Sequence, residues 1–177
     1  RVLIMSEQSM PSGRRDFLKQ ASAAALVTGF PAILSAQTVT NAIKVGLVGC
    51  GGRGSGAARQ ALTADDYAEL TAVADVEPQQ IERALATFGR IAKIASRVKV
   101  DKDKQYLGLD AFQKVINSGV DVVLLATPPG FRPQHLAACI AANKHVFCEK
   151  PIATDAPGVR AVMATADQAK QKNLSLV

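Results

Sequence analysis

The residues of this 177-residue chain whose types and spacing could do chemistry are three glycines, two carboxylates and one lysine. Gly49, Gly51 and Gly54 have the spacing G-x-G-x-x-G and follow the apolar run Val45-Gly46-Leu47-Val48. In that pattern the first glycine permits a tight turn out of a strand. The second lets the backbone approach a pyrophosphate closely, and the third lets the next helix pack tightly on the sheet. The N-terminus of that helix offers free N–H groups and a partial positive charge to an anion. The whole turn, Gly49, Cys50, Gly51, Gly52, Arg53 and Gly54, is therefore the candidate phosphate cradle. Spacing alone also allows plain turn punctuation, because glycines gather wherever φ must be positive.

Asp75 ends a second apolar run, Ala68-Glu69-Leu70-Thr71-Ala72-Val73-Ala74. It lies about 20 residues past the last glycine, where a dinucleotide fold delivers a carboxylate to the adenosine ribose. An acid there accepts hydrogen bonds from the ribose hydroxyls and repels a 2′-phosphate. Glu77 adds charge nearby, which favours NAD over NADP. The alternative is that Asp75 simply caps a helix starting near Glu77 or Pro78. Glu149 and Lys150 stand before Pro151 at the end of a third apolar run, well placed for chemistry, or else forming an exposed ion pair worth little.

The elements that must hold these residues alternate in type. Strand patterns are expected at Lys44–Val48, Ala68–Asp75, Val120–Ala126 and Lys144–Cys148, with a short one at Val98–Val100. Helical spacing covers Ser55–Ala64, Glu77–Phe88, a stretch from an Asp110 cap to Asn117, and Pro133–Asn143. In the last of these, Leu136, Ala137, Ile140 and Ala141 are the expected buried face. Such alternation predicts an α/β fold, a doubly wound parallel sheet of Rossmann type. Ligands of open α/β sheets bind beyond the carboxyl ends of the strands, which sets Thr127-Pro128-Pro129-Gly130 beside the glycine turn. An ordinary strand-to-helix turn would use the same residues.

Residues 1–36 are expected to be an export signal, 37–42 a linker and 43–177 the nucleotide-binding domain. Ser12-Gly13-Arg14-Arg15-Asp16-Phe17-Leu18-Lys19 is similar to a twin-arginine motif, with Gly13 where Ser or Thr is preferred. The Ala21–Ala36 stretch behind it is only mildly apolar and falls short of the ~20 residues of a membrane span. Cleavage is expected after Ala36; Leu34 fits the minus-three position poorly, so retention as an anchor stays open. The rival is a buried amphipathic helix. A twin-arginine route carries proteins already folded around a cofactor, which suits an exported nucleotide enzyme.

Residues 1–36 carry four of the 21 basic and two of the 15 acidic side chains, which leaves 17 against 13, a net +4. The basic residues between Arg90 and Lys104 are interleaved with Asp101 and Asp103 and have only Tyr106 for stacking, which argues against nucleic-acid binding. This Gly89–Gln105 stretch is expected to be a solvated, irregular connection. Cys50, Cys139 and Cys148 lack metal-ligand spacing and are expected to pack as small apolar residues. With only two histidines, no metal site is expected.

Together, V-G-L-V-G-C-G-G-R-G, A-V-A-D, L-A-T-P-P and H-V-F-C-E-K-P resemble the N-terminal domain of the Gfo/Idh/MocA oxidoreductases, from about Ile43 to Val177. The resemblance implies an NAD(P)-dependent enzyme with a second, α+β domain for a sugar or polyol. Gly49, Gly51 and Gly54 would then hold the pyrophosphate, Asp75 the ribose, and Thr127 and Pro128 the cofactor's flank. Glu149 would reach the nicotinamide side, and Lys150 would be the catalytic lysine. The Lys150–Pro151 bond is expected to be cis. The chain begins at Arg1 and ends in Asn173-Leu174-Ser175-Leu176-Val177, which reads as the start of another strand, so a fragment without its second domain is expected. Such a fragment would be inactive alone, and the full-length protein a homo-oligomer. Three function classes stand: an exported dehydrogenase, an NAD-using glycoside hydrolase of the same superfamily, and a nucleotide sensor without catalysis.

Overall fold

Strand β1 (Ile43–Val48) buries its last four residues, the pattern of a central parallel strand covered on both faces. Val45 and Leu47 join one apolar cluster, with Leu62, Leu70, Val73, Ile81, Phe88 and Ile94. Val48 joins the other, with Phe112, Val115, Val123, Leu125, Leu136 and Ile140. Side chains that alternate across a strand thus feed two cores, one for each layer of helices.

A computed structural model describes residues 42–177. The expected export signal and all but the last residue of the linker lie outside the described residues. The elements run β1, α1 (Gly52–Ala64), β2 (Ala68–Asp75), α2 (Pro78–Gly89), α3 (Ala92–Ala95), β3 (Gln105–Leu107), α4 (Ala111–Asn117), β4 (Val122–Leu125), α5 (Arg132–Ala141), β5 (His145–Cys148) and α6 (Ala156–Gln171). The sheet is parallel throughout, in the order β3-β2-β1-β4-β5. The chain winds outward from β1 to β3, then returns to lay β4 on the other side of β1. A crevice opens at that reversal, past the carboxyl ends of β1 and β4. Among the described residues no helix is long and apolar enough to cross a membrane.

Several elements differ from expectation. The third strand is Gln105–Leu107; Val98 makes only a single bridge to Leu70, because a 3₁₀ turn at Lys102–Lys104 redirects the chain before pairing extends. The Gly89–Gln105 connection is anchored rather than merely solvated. Ile94 is fully buried, and the Arg97 guanidinium donates to the carbonyls of Asp65, Ala68 and Lys93. Helix α1 starts at Gly52, earlier than Ser55, because the glycine turn itself forms the first helical residues. Asp110 occupies the cap position of α4 without a side-chain cap bond.

Helix α5 buries Arg132, His135, Leu136, Cys139 and Ile140, while Ala137 and Ala141 are exposed. At the chain end, Leu176 pairs in parallel with Val146, with Val146 N–H donating to Ser175 O at 2.9 Å and Cys148 N–H to Val177 O at 2.7 Å. This is the expected start of a further strand.

Candidate functional site

The turn after β1 is stapled to the end of β2. Gly49 N–H donates to Ala74 O at 2.8 Å, and Cys50 N–H to Asp75 Oδ2 at 2.6 Å. The other Asp75 oxygen accepts from Glu77 N–H at 3.0 Å. Asp75 therefore does local structural work, yet a carboxylate has lone pairs to spare for two hydroxyls. Gly49 has φ +94°, a left-handed conformation that favours glycine. A Cβ on Gly54 would fall 1.8 Å from Gly49 O, so α1 lies against the turn in a way only glycine allows. A Cβ on Gly51 would meet no protein atom within 4 Å; that residue faces open space. Gly51 caps α1 without any side-chain bond, and the helix has no acidic residue in its first turn. The end of α1 is thus ready for an anion.

Cys50 faces the other way. It is buried, its Sγ lies 3.5 Å from Ala74 O, and burial, reinforced by the Asp75 charge, pushes its thiol up to about 12. Only its backbone belongs to the cradle. Cys139 is likewise buried, its thiol pushed up to about 12 chiefly by burial, and none of the three cysteines is in a disulfide.

A cleft of about 320 Å³ opens at the switch point, lined by Gly49, Gly51, Asp75, Thr127 and Pro128 among others. This brings together three of the expected site segments, the glycine turn, Asp75 and Thr127-Pro128. Its apolar wall comes from Val76, Leu109, Phe131 and the buried His135, none of which is marked as functional by a sequence motif. The His135 ring stacks on Phe112 at 3.9 Å and on Phe131 at 5.9 Å between centroids, and Nδ1 lies 3.3 Å from Thr127 Oγ1. The Thr127 hydroxyl is thereby held by the helix that follows its loop.

Burial lowers His135 to about 4, so the ring is neutral at pH 7. Its folded-state value lies below the ordinary 6.5, so its contribution to stability is complete above 6.5 and is lost as pH falls towards 4. Allowing for solvent in the cleft, the loss is on the order of 2 kcal/mol. Urea titrations at pH 7 and pH 4 should show His135→Asn reducing the pH-dependent loss by that amount; an unchanged loss would contradict it.

Across the α1 N-terminus lies the second half of the site. Glu149 is 3% exposed, and Arg53 Nη2 stands 2.5 Å from its Oε1. Arg53 makes a close charge-assisted contact with this oxygen, and each carboxylate oxygen has a second lone pair, so Glu149 keeps acceptor capacity. The Arg53 guanidinium holds the Glu149 carboxyl below the usual carboxylate range, against the opposing effect of burial. The expected alternative, an exposed Glu149–Lys150 pair, is therefore replaced by a pair from Glu149 to the glycine turn. Lys150 is exposed, and its bond to Pro151 is cis.

Arg132, unmarked by any motif, sits 5% exposed at the start of α5. Its Nε donates to Thr127 O at 2.7 Å, and its Nη1 to Glu149 O at 2.6 Å and to Pro151 O.

A parallel sheet with a glycine turn, an acid ending β2 and an uncapped helix end at the switch point constitutes a dinucleotide-binding domain. Comparison narrows the class. The family model GFO_IDH_MocA, an oxidoreductase family with an NAD-binding Rossmann fold, matches residues 43–176, and the chain belongs to that family. Inositol 2-dehydrogenase of Acidothermus cellulolyticus is 33% identical over 116 residues, 66% of this chain and 30% of its own length. A glycosyl hydrolase family 109 protein of Shewanella pealeana is 26% identical over 189 residues, 95% of this chain and 40% of its own. Among solved structures, scyllo-inositol dehydrogenase from Lactobacillus casei with bound NAD(H) and scyllo-inositol superposes with a TM-score of 0.60 at 28% identity, over 77% of this chain and 36% of that one. The chain thus spans about a third of the length of these relatives.

The fit of NAD to this chain rests on the open face of Gly51, the uncapped α1 and the lone pairs that the Glu149 carboxylate keeps beside Arg53. NAD is the cofactor of this domain. Asp75→Asn keeps an acceptor for Cys50 N–H but removes the charge. It should shift the ratio of NAD to NADP affinity towards NADP by about tenfold in paired binding titrations. An unchanged ratio would remove Asp75 from cofactor discrimination.

Proposed function

We propose that this chain is the nucleotide-binding part of an NAD-dependent oxidoreductase that acts on a sugar or polyol. The observation that carries the reading is the placement of Glu149 and Lys150 at the carboxyl end of β5, with Glu149 tied by Arg53 to the phosphate cradle. When bound, NAD supplies a nicotinamide ring that accepts hydride. The first-turn N–H groups of α1 hold the pyrophosphate, Asp75 accepts from the adenosine ribose, and Thr127 and Pro128 form a wall along the cofactor. Glu149 offers a remaining lone pair on the nicotinamide side. Lys150 presents an ammonium to the substrate oxygen, where it would stabilise the alkoxide left when the hydroxyl proton passes to an acid/base group; loss of hydride from the same carbon then turns that alkoxide into the carbonyl. A second domain would supply the acid/base group and the substrate contacts, and the full-length protein would assemble as a homo-oligomer. The twin-arginine-like segment at Ser12–Lys19 supports export of the folded protein to the periplasm or beyond.

A second reading is favoured by the hydrolase relative, whose match extends over 95% of this chain. In that reading the same site oxidises a glycoside transiently and returns the hydride. Incubating the turnover-competent protein with myo-inositol and with a panel of aryl glycosides separates the two. A dehydrogenase accumulates NADH in step with oxidised polyol. A hydrolase releases sugar with no net NADH, and that result would overturn the first reading.

A further inference from the structure

We propose that Arg132 is a positioning residue for Lys150, one guanidinium bolting the loop after β4 to the loop after β5; this rests on the reading of Lys150 given above. A buried cation in the first turn of a helix opposes the helix dipole, so its place needs compensation from elsewhere. Among the described residues Arg132 has no ion pair. Its hydrogen bonds go to main-chain carbonyls alone, and the Glu149 carboxylate adds a weaker electrostatic attraction. Nη1 takes the carbonyls of Glu149 and Pro151, which flank Lys150 on either side. Nε takes the carbonyl of Thr127 in the other loop. The backbone from which Lys150 projects is thus fixed relative to Thr127 and Pro128, the wall along the cofactor. A lysine could supply donors from a single nitrogen, but not from two separated corners of a rigid plane.

The consequence falls chiefly on Lys150, which stands between two of the three carbonyls that Arg132 binds, whereas the phosphate cradle and Asp75 make no bond to Arg132 and keep most of the cofactor affinity. The test compares the chain with Arg132→Lys and Arg132→Ala, each checked for folding by circular dichroism. NADH affinity is followed by the cofactor's own fluorescence. Acetylation of Lys150 by N-hydroxysuccinimidyl acetate is followed by peptide mass spectrometry with and without saturating NADH. In the unsubstituted chain, NADH should slow Lys150 acetylation by about fivefold or more. Arg132→Ala should cut that protection to below about twofold while NADH affinity moves by less than about threefold. Arg132→Lys should fold normally and keep only part of the protection, so the test stands even where the alanine variant fails to fold. Full protection in every folded variant would overturn the role of Arg132 and leave the assignment of Lys150 intact. Absence of protection in the unsubstituted chain would overturn the assignment of Lys150, and the role of Arg132 with it.

Discussion

Replacing Lys150 by alanine in the full-length protein should lower turnover by about a thousandfold or more while NAD affinity changes by less than about threefold, the pattern for a group used only as charge develops. Lys150 is exposed at the end of β5, makes no ion pair among the described residues and is held through the backbone on either side. Its removal therefore leaves no buried partner unsatisfied, so stability should stay near that of the parent. Steady-state kinetics and NADH titration on the same preparations separate the two effects. Retained turnover would exclude Lys150 from the chemistry, and a parallel collapse of NAD affinity would make it a binding residue.

The second large effect comes from two glycines that serve one motif in different ways. Gly54→Ala places a methyl group 1.8 Å from Gly49 O, a contact with backbone that no rotamer relieves. Either α1 or the turn must move, at a cost of about 3 kcal/mol or more, and the melting temperature should fall by on the order of 10 °C. Gly51→Ala meets no protein atom within 4 Å, so the melting temperature should hold. NAD affinity should nevertheless fall by about tenfold or more, because the methyl group occupies the approach to the pyrophosphate. Thermal melts with and without NAD distinguish the two variants. A Gly51→Ala chain that binds NAD normally would mean that the open face of Gly51 is not where the phosphates lie.

These contrasts mark how far the sequence alone reaches. The glycine spacing, the acid closing β2 and the Glu149-Lys150-Pro151 turn are legible because each is a local pattern at the end of an apolar run. Arg132 and His135 are not. The buried stripe of α5 runs through positions 132, 135, 136, 139 and 140, a regular helical spacing whose first two members are polar. An apolar count therefore shifts the stripe by one residue, onto Ala137 and Ala141. Only the contacts with Thr127, Glu149, Pro151 and Phe112 reveal why an arginine and a histidine belong inside. The third strand is similarly hidden. Val98 and Val100 look more like a strand than Gln105-Tyr106-Leu107, yet it is the latter that pairs with Val73-Ala74-Asp75. Pairing partners decide that outcome, and no local window contains them. The structural use of Asp75 was foreshadowed in part, since a residue suited to capping does accept a backbone N–H two residues on.

The central claim, that the loops after β1, β2, β4 and β5 jointly hold one adenine dinucleotide, is tested most directly by calorimetric titration of this chain with NADH. The expected result is saturable one-to-one binding, with a dissociation constant on the order of micromolar to tens of micromolar, and a raised melting temperature in its presence. No heat and no thermal protection from NAD(H) or NADP(H) would contradict it.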